Sequence, residues 1–178
     1  MSVTPAPQVE LHVVEAVPTP AEVYQRYSRY VASLAFHLMG RDADVNDVVQ
    51  DVFVAAIEGM DRIRAPAALK GWLATLTVRM ARRRLQRRRL VSLFGFDEGP
   101  PFEPASTAAS PEQRALLAQV YAALDGVSAN ERVAWVLRYV EGEPLEMVAQ
   151  HCGCSLATAK RRIAAAHAFM ERSFADAA

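Results

Sequence analysis

Charge in this sequence is sorted into blocks, and the blocks imply recognition chemistry rather than bond-making. Between Asp42 and Asp61 every charged residue is acidic: Asp42, Asp44, Asp47, Asp51, Glu58 and Asp61. Between Arg79 and Arg89 seven of eleven residues are arginine. Carboxylates presented together suit a basic protein surface, because ion pairs steer the encounter and fix its register. A row of guanidinium groups suits phosphates. Trp72, with Lys70 and Arg64 nearby, sets a π-surface beside cations, the combination that holds unstacked bases. Nearer the C-terminus, Ser155, Thr158, Lys160, Arg161 and Arg162 gather hydroxyls and cations where a helix begins, the place from which base edges and phosphates are reached.

Catalytic chemistry has little to stand on. The chain has no Gly-rich phosphate loop and no nucleophile motif, and its four histidines (His12, His37, His151, His167) are scattered, as expected of surface and helix-face positions. An enzyme is therefore not expected. His151-Cys152-Gly153-Cys154 lacks a second ligand cluster at zinc spacing, so the cysteines are assigned to turn packing and no metal or cofactor is predicted. Cys152 and Cys154 are too close together for an ordinary disulfide, no secretory signal precedes them, and no apolar run approaches the roughly 18–20 residues of a membrane span. A cytoplasmic protein is expected. With 178 residues, 52% of them hydrophobic, the chain can bury real cores. The formal net charge is zero, but its segregation into an acidic and a basic stretch points to two different partners.

The elements that must present these residues read as helices throughout. Residues 1–18 form a flexible, proline-containing lead, with some strand character from Glu10 to Val17. Thr19-Pro20-Ala21-Glu22 combines a cap, a proline at the first helical position and a capping-box glutamate, and Gly40 ends the helix it starts. A second helix, roughly Asp44 to Met60, carries the stripe Val45, Val48, Val49, Val52, Phe53, Ala56, Ile57 and Met60, leaving Asp47, Gln50 and Asp51 outside it. Pro66 opens a third helix that includes Leu69, Trp72, Leu73, Leu76, Met80 and Leu85 and runs into the arginines. Residues 91–110, rich in Gly, Pro and small residues, read as a tether. Ser110-Pro111-Glu112-Gln113 and Ser128 with Glu131 begin two further helices. Then Gly142 and Pro144 separate helices, and the turn Cys152-Gly153-Cys154 leads to a last helix capped by Ser155. Two helices joined by a short Gly-containing turn, the second opened by polar and basic residues, form a helix-turn-helix. In the last helix Leu156, Ala159, Ile163, Ala166 and Met170 make the inward stripe. The predicted fold is all-α: a lead (1–18), a helical bundle (19–90), a flexible Pro-rich linker (91–110) and a C-terminal helix-turn-helix domain (111–178).

Taken in series, Asp47-Val48-Val49-Gln50-Asp51-Val52-Phe53, the Trp72-Leu73 pair, the arginine tract, the tether and the helix-turn-helix resemble the two-domain extracytoplasmic-function (ECF) sigma factors of bacterial RNA polymerase, over roughly residues 22–90 and 112–174. The resemblance implies a factor that directs polymerase to promoters and opens them. It implies that Asp47, Gln50 and Asp51 dock on a coiled coil of the polymerase core. It implies that Arg64, Lys70, Trp72, Arg79, Arg82 and Arg83 meet the minus-ten element as a melted strand, with a base flipped into the loop of about Arg62 to Leu69. It implies that Ser155, Thr158, Lys160, Arg161 and Arg162 meet the minus-thirty-five element as a duplex, and that an anti-sigma factor covers both domains. Arg79 and Arg83 stand where the family usually carries Asn and Asp, which implies more phosphate attraction and an altered base preference. For Trp72, burial in the core and contact with a base remain alternatives, as do a plain tether and a threaded linker for residues 91–110. The competing function is a stand-alone helix-turn-helix repressor or activator whose first domain dimerises or senses a signal; it would bind duplex DNA alone, with half-site symmetry.

Overall fold

The structure, a computed structural model, describes residues 18–40, 42–63, 65–93 and 110–175. The N-terminal lead, Arg64, and the linker from residue 94 to 109 lie outside the described residues. Seven α-helices and two 3-10 turns, with no strand, make up the described residues.

Helix α1 (Pro20–Met39) begins as its cap demands. The Thr19 N–H donates to Glu22 Oε2 at 2.7 Å, and the Glu22 N–H donates to Thr19 Oγ1 at 3.3 Å. It ends at Gly40, whose φ of 69° is left-handed and whose N–H returns to the Phe36 carbonyl. Helix α2 (Asp42–Gly59) buries Val45, Val48, Val52, Phe53 and Ala56 against α1 and the third helix. Ile57, expected in that stripe, is instead 59% exposed. At 3.6 residues per turn it lies about a third of a turn from the centre of the buried face, so it falls at the rim of the stripe. A 3-10 turn (Met60–Arg62) and a second one (Pro66–Ala68) lead into α3 (Leu69–Leu93). Pro66 thus opens a single tight turn, and α3 proper starts three residues later. Helix α3 also passes the expected linker start at Val91, because Leu90 to Leu93 contain neither Gly nor Pro to stop it.

The second half repeats the capping logic. In α4 (Pro111–Gly126) the Ser110 N–H donates to Gln113 Oε1 at 2.9 Å. In α5 (Ala129–Tyr139) the Ser128 N–H donates to Glu131 Oε2 at 3.0 Å. Pro144 precedes α6 (Leu145–Cys152), Gly153 closes it with φ 61°, and α7 (Leu156–Ala175) follows. Ala159, Ile163, Ala166 and Met170 are buried along α7 as expected. Leu156, expected in that stripe, is instead 38% exposed.

Helices α1–α3 pack on one another, and α5–α7 do the same with α4 against α7. The two groups are also docked. Helix α3 lies against α5 and α6, and α1 touches α5, so the buried apolar side chains form one connected set across both. Nothing in the sequence periodicity announced that contact.

Candidate nucleic-acid and protein interfaces

The acidic face of α2 divides into a committed and an open part. Asp44 accepts from Arg84 Nε at 2.8 Å and from Arg88 at 3.5 Å, and Asp47 accepts from the other end of the Arg84 guanidinium. The bond to Asp44, offset in part by burial, raises the pKa of Arg84. Of the three residues assigned to one polar patch, Asp47 is therefore tied to α3, whereas Gln50 and Asp51 stand exposed.

The arginine run is sorted by helical angle. Arg84 and Arg88 turn toward α2, and Arg88 also reaches Asp125 on α4 at 2.6 Å. Arg82 turns the other way and donates to the Cys152 carbonyl at the end of α6, 3.0 Å away. Arg79, Arg83 and Arg87, spaced four residues apart, share the solvent face and make no ion pair among the described residues. Two of the three α3 arginines assigned to the minus-ten strand, Arg79 and Arg83, are thus presented to solvent, with Arg87 as a further one that spacing alone could have added. Arg82 is not presented in this arrangement.

Trp72 is half-buried. A Cβ at Gly59 would stand 2.8 Å from Trp72 Cζ2, so the indole rests on bare backbone at the end of α2. Lys70 is exposed, with Nζ 4.9 Å above the Tyr30 ring. Arg64 lies outside the described residues, and Lys70 and Trp72, two positions apart on α3, meet different neighbours, Tyr30 and Gly59.

The helix-turn-helix is built as its sequence requires. The Gly153 N–H donates to the Gln150 carbonyl and the Cys154 N–H to the Ala149 carbonyl at 3.0 Å, which fold the chain back after α6. Cys152 is buried and Cys154 half-buried; burial pushes the Cys152 thiol up to about 11, which suits a packing residue. Ser155 Oγ accepts from the Thr158 N–H at 3.2 Å and caps α7. Lys160 and Arg161 are exposed, and Thr158 and Arg162 are half-buried.

Contacts between the two groups involve residues that composition and spacing passed over. Arg132, in the first turns of α5, is only 2% exposed. Its Nε donates to the Leu38 carbonyl at 2.8 Å, Nη2 to the Met39 carbonyl at 2.7 Å, and Nη1 to Asp125 at 2.5 Å. Burial lowers its pKa, opposed by Asp125. His151, expected at a surface or helix-face position, is buried instead. Its Nδ1 lies 2.9 Å from Thr75 Oγ1 of α3. The Thr75 hydroxyl has one proton, and donating it to the Gly71 carbonyl at 3.0 Å leaves its oxygen to accept from His151 Nδ1–H. Burial holds the imidazole below its ordinary pKa and so neutral. His37 of α1 pairs with Glu141, just after α5, at 2.5 Å.

Both halves match known protein families. Sigma-70 region 2 matches residues 23–91, which hold α1 to α3 almost entirely. Sigma-70 region 4 matches residues 117–170, which hold the helix-turn-helix. The chain belongs to the ECF sigma factors. This sigma factor is 28% identical over 152 residues to the ECF RNA polymerase sigma factor SigE of Mycolicibacterium smegmatis, an alignment covering 83% of this chain and 58% of that protein. It is 29% identical over 151 residues to the ECF RNA polymerase sigma-E factor of Escherichia coli K12, covering 78% of this chain and 77% of that one. Its fold is shared with the sigma factor RpoE, solved with the anti-sigma factor NepR from Bartonella quintana (TM-score 0.65, 24% identity, 86% of this chain and 95% of that chain). It is also shared with CnrH, solved with the cytosolic domain of CnrY (TM-score 0.59, 24% identity, 89% and 88%).

Proposed function

We propose that this sigma factor joins the bacterial RNA polymerase core, directs it to promoters and supports their opening, acting in the cytoplasm as a regulatory DNA-binding subunit rather than an enzyme. The observation that carries this is the order of surfaces along one chain. An exposed acidic patch on α2 is followed by an unpaired arginine face on α3 and then by a helix-turn-helix with exposed cations, within consecutive region 2 and region 4 matches. No described helix is long and apolar enough to cross a membrane.

In this scheme residues 19–90 form the polymerase- and minus-ten-binding domain and residues 111–178 the minus-thirty-five domain. Gln50 and Asp51 meet the core enzyme first, and Asp47 supports them while anchoring Arg84. Arg79 and Arg83 hold the melted strand by its phosphates, with Trp72 and Lys70 at the near end of α3. Arg64 and Arg82 join once Arg82 leaves the Cys152 carbonyl. Ser155, Thr158, Lys160, Arg161 and Arg162 engage the minus-thirty-five duplex from the N-terminal turns of α7. An anti-sigma factor is the expected inhibitor; the sigma factor RpoE, which shares this fold, was solved in complex with one.

The test is association. Mixed with core polymerase, the full chain should co-elute as a stable one-to-one complex. Failure to associate under conditions where a known sigma factor binds would overturn the proposal.

A further inference from the structure

A cavity of about 210 Å³ opens where the end of α3 meets the start of α5. Arg88 and Arg89 line it from α3 and Arg132 from α5, and against them the described lining sets one carboxylate, that of Asp125. A single oxygen of that carboxylate is shared. Asp125 Oδ1 accepts from Arg88 Nη2 at 2.6 Å and from Arg132 Nη1 at 2.5 Å. Burial, and after it the charge of Arg88, lower the pKa of Arg132 against the pull of Asp125, so the two guanidiniums repel each other across the carboxylate between them. Of these arginines Asp44 reaches only Arg88, at 3.5 Å. Arg89 is exposed and makes no ion pair among the described residues. Ser92 adds a hydroxyl to the wall. Ala129, also in the lining, is the first residue of α5, where N–H groups lack partners inside the helix and the positive end of its dipole lies. Glu131, the acidic residue of that turn, is folded back onto the Ser128 N–H.

We propose that this cavity binds a polyanionic phosphate group, inorganic pyrophosphate or the terminal diphosphate of a nucleotide, with Arg89 as the cation that receives it. Charge selects the class. The wall stays cationic with Asp125 in place, and a phosphate group, with close to two negative charges and three acceptor oxygens, matches what remains better than a second carboxylate. Geometry agrees, because the planar fork of a guanidinium takes two phosphate oxygens at once, and Ser92 and the start of α5 offer further donors. Size sets the limit. A cavity of about 210 Å³ is smaller than the roughly 300–1,000 Å³ of pockets that enclose drug-sized ligands, so it takes the phosphate end and leaves any nucleoside outside. None of Arg79, Arg83 and Arg87 lines it. The site is therefore separate from the arginine face assigned to the promoter strand, and it requires neither polymerase nor promoter.

The experiment is calorimetric titration of the full chain with pyrophosphate at constant ionic strength, for wild type, Arg89→Ala and Arg83→Ala. Both substitutions remove an exposed arginine of α3 that makes no ion pair among the described residues, so both variants should fold as wild type does. Wild type should bind saturably at one site per chain and gain thermal stability as ligand is added. Arg89→Ala should weaken binding about tenfold, the loss of one charge-assisted contact, and Arg83→Ala should leave it almost unchanged. A nucleoside diphosphate that competes with pyrophosphate identifies a nucleotide as a source of the group. One that does not compete restricts the site to inorganic phosphates, and either result supports it. Absence of saturable binding, or equal losses in the two variants, would overturn the proposal. So would displacement of pyrophosphate by a short single-stranded oligonucleotide, which would make the cavity part of the DNA surface.

Discussion

Replacing Arg79, Arg83 and Arg87 together by alanine removes three cations that the fold does not use. All three are exposed on α3 and make no ion pair among the described residues, so the cost to stability should stay within about 0.5 kcal/mol per site. Their effect on DNA should be large. Each cation neutralising a phosphate of a single strand contributes about 0.7 to the slope of log affinity against log salt, so loss of all three flattens the slope by about 2. The assay is binding of the polymerase–sigma complex to a forked promoter carrying a melted minus-ten strand, titrated across salt concentrations. Arg84→Ala is the contrast. Arg84 bonds Asp44 at 2.8 Å and also pairs with Asp47, with a quarter or so of each inner side chain exposed. Its loss should cost about 1 kcal/mol after screening by solvent, seen as a fall of about 2–4 °C in the midpoint, and should leave the slope unchanged. An unchanged slope for the triple variant, or a slope that follows Arg84 instead, would refute the division of the arginine run into structural and DNA-facing members.

Three further outcomes are expected. Asp51→Lys, exposed and outside the buried stripe, should weaken association with core polymerase at least tenfold while the thermal midpoint holds; unchanged affinity would remove α2 from the docking surface. Gly59→Ala pushes a Cβ toward Trp72 Cζ2 and should destabilise by about 1–3 kcal/mol through overpacking. Indole fluorescence and thermal melting would report it, and a neutral result would mean that the indole does not rest on α2. The neutral His151 gives a pH dependence with a definite sign. Its folded pKa is depressed by burial, with only Glu143 pulling the other way, so its contribution is complete above the ordinary value near 6.5 and is lost as pH falls from there toward the folded pKa. Between pH 7 and 5.5 the midpoint of wild type should fall more than that of His151→Asn; equal falls would contradict the assignment.

The helices were legible because their ends are written locally. Thr19 with Glu22, Ser110 with Gln113 and Ser128 with Glu131 all form the reciprocal bonds their spacing implies, and Gly40 and Gly153 take the left-handed conformation that stops α1 and α6. Edges of faces were less legible. Ile57 and Leu156 are apolar and in period, yet both are exposed, because a period gives the direction of a face and not its width. The candidate site followed the same rule. Exposure of Gln50, Asp51, Arg79, Arg83, Lys160 and Arg161 could be read from helical spacing, but the capture of Asp47 and Arg82 could not, because their partners sit on other helices. Docking of the two halves was hidden for the same reason, since its bonds join residues 93 and 94 positions apart. The one local signal was Arg132 itself, a charged residue four positions before Val136 and next to Val133 on the inward face of α5. An arginine on a buried stripe requires partners, and here they lie in the other half of the chain.

The most direct test is run-off transcription from a library of candidate promoters, with core polymerase in the presence and absence of the full chain. The account predicts discrete transcripts that appear only when both are present and that disappear with Asp51→Lys. Transcripts independent of the chain, or none from a library on which another sigma factor initiates, would contradict it.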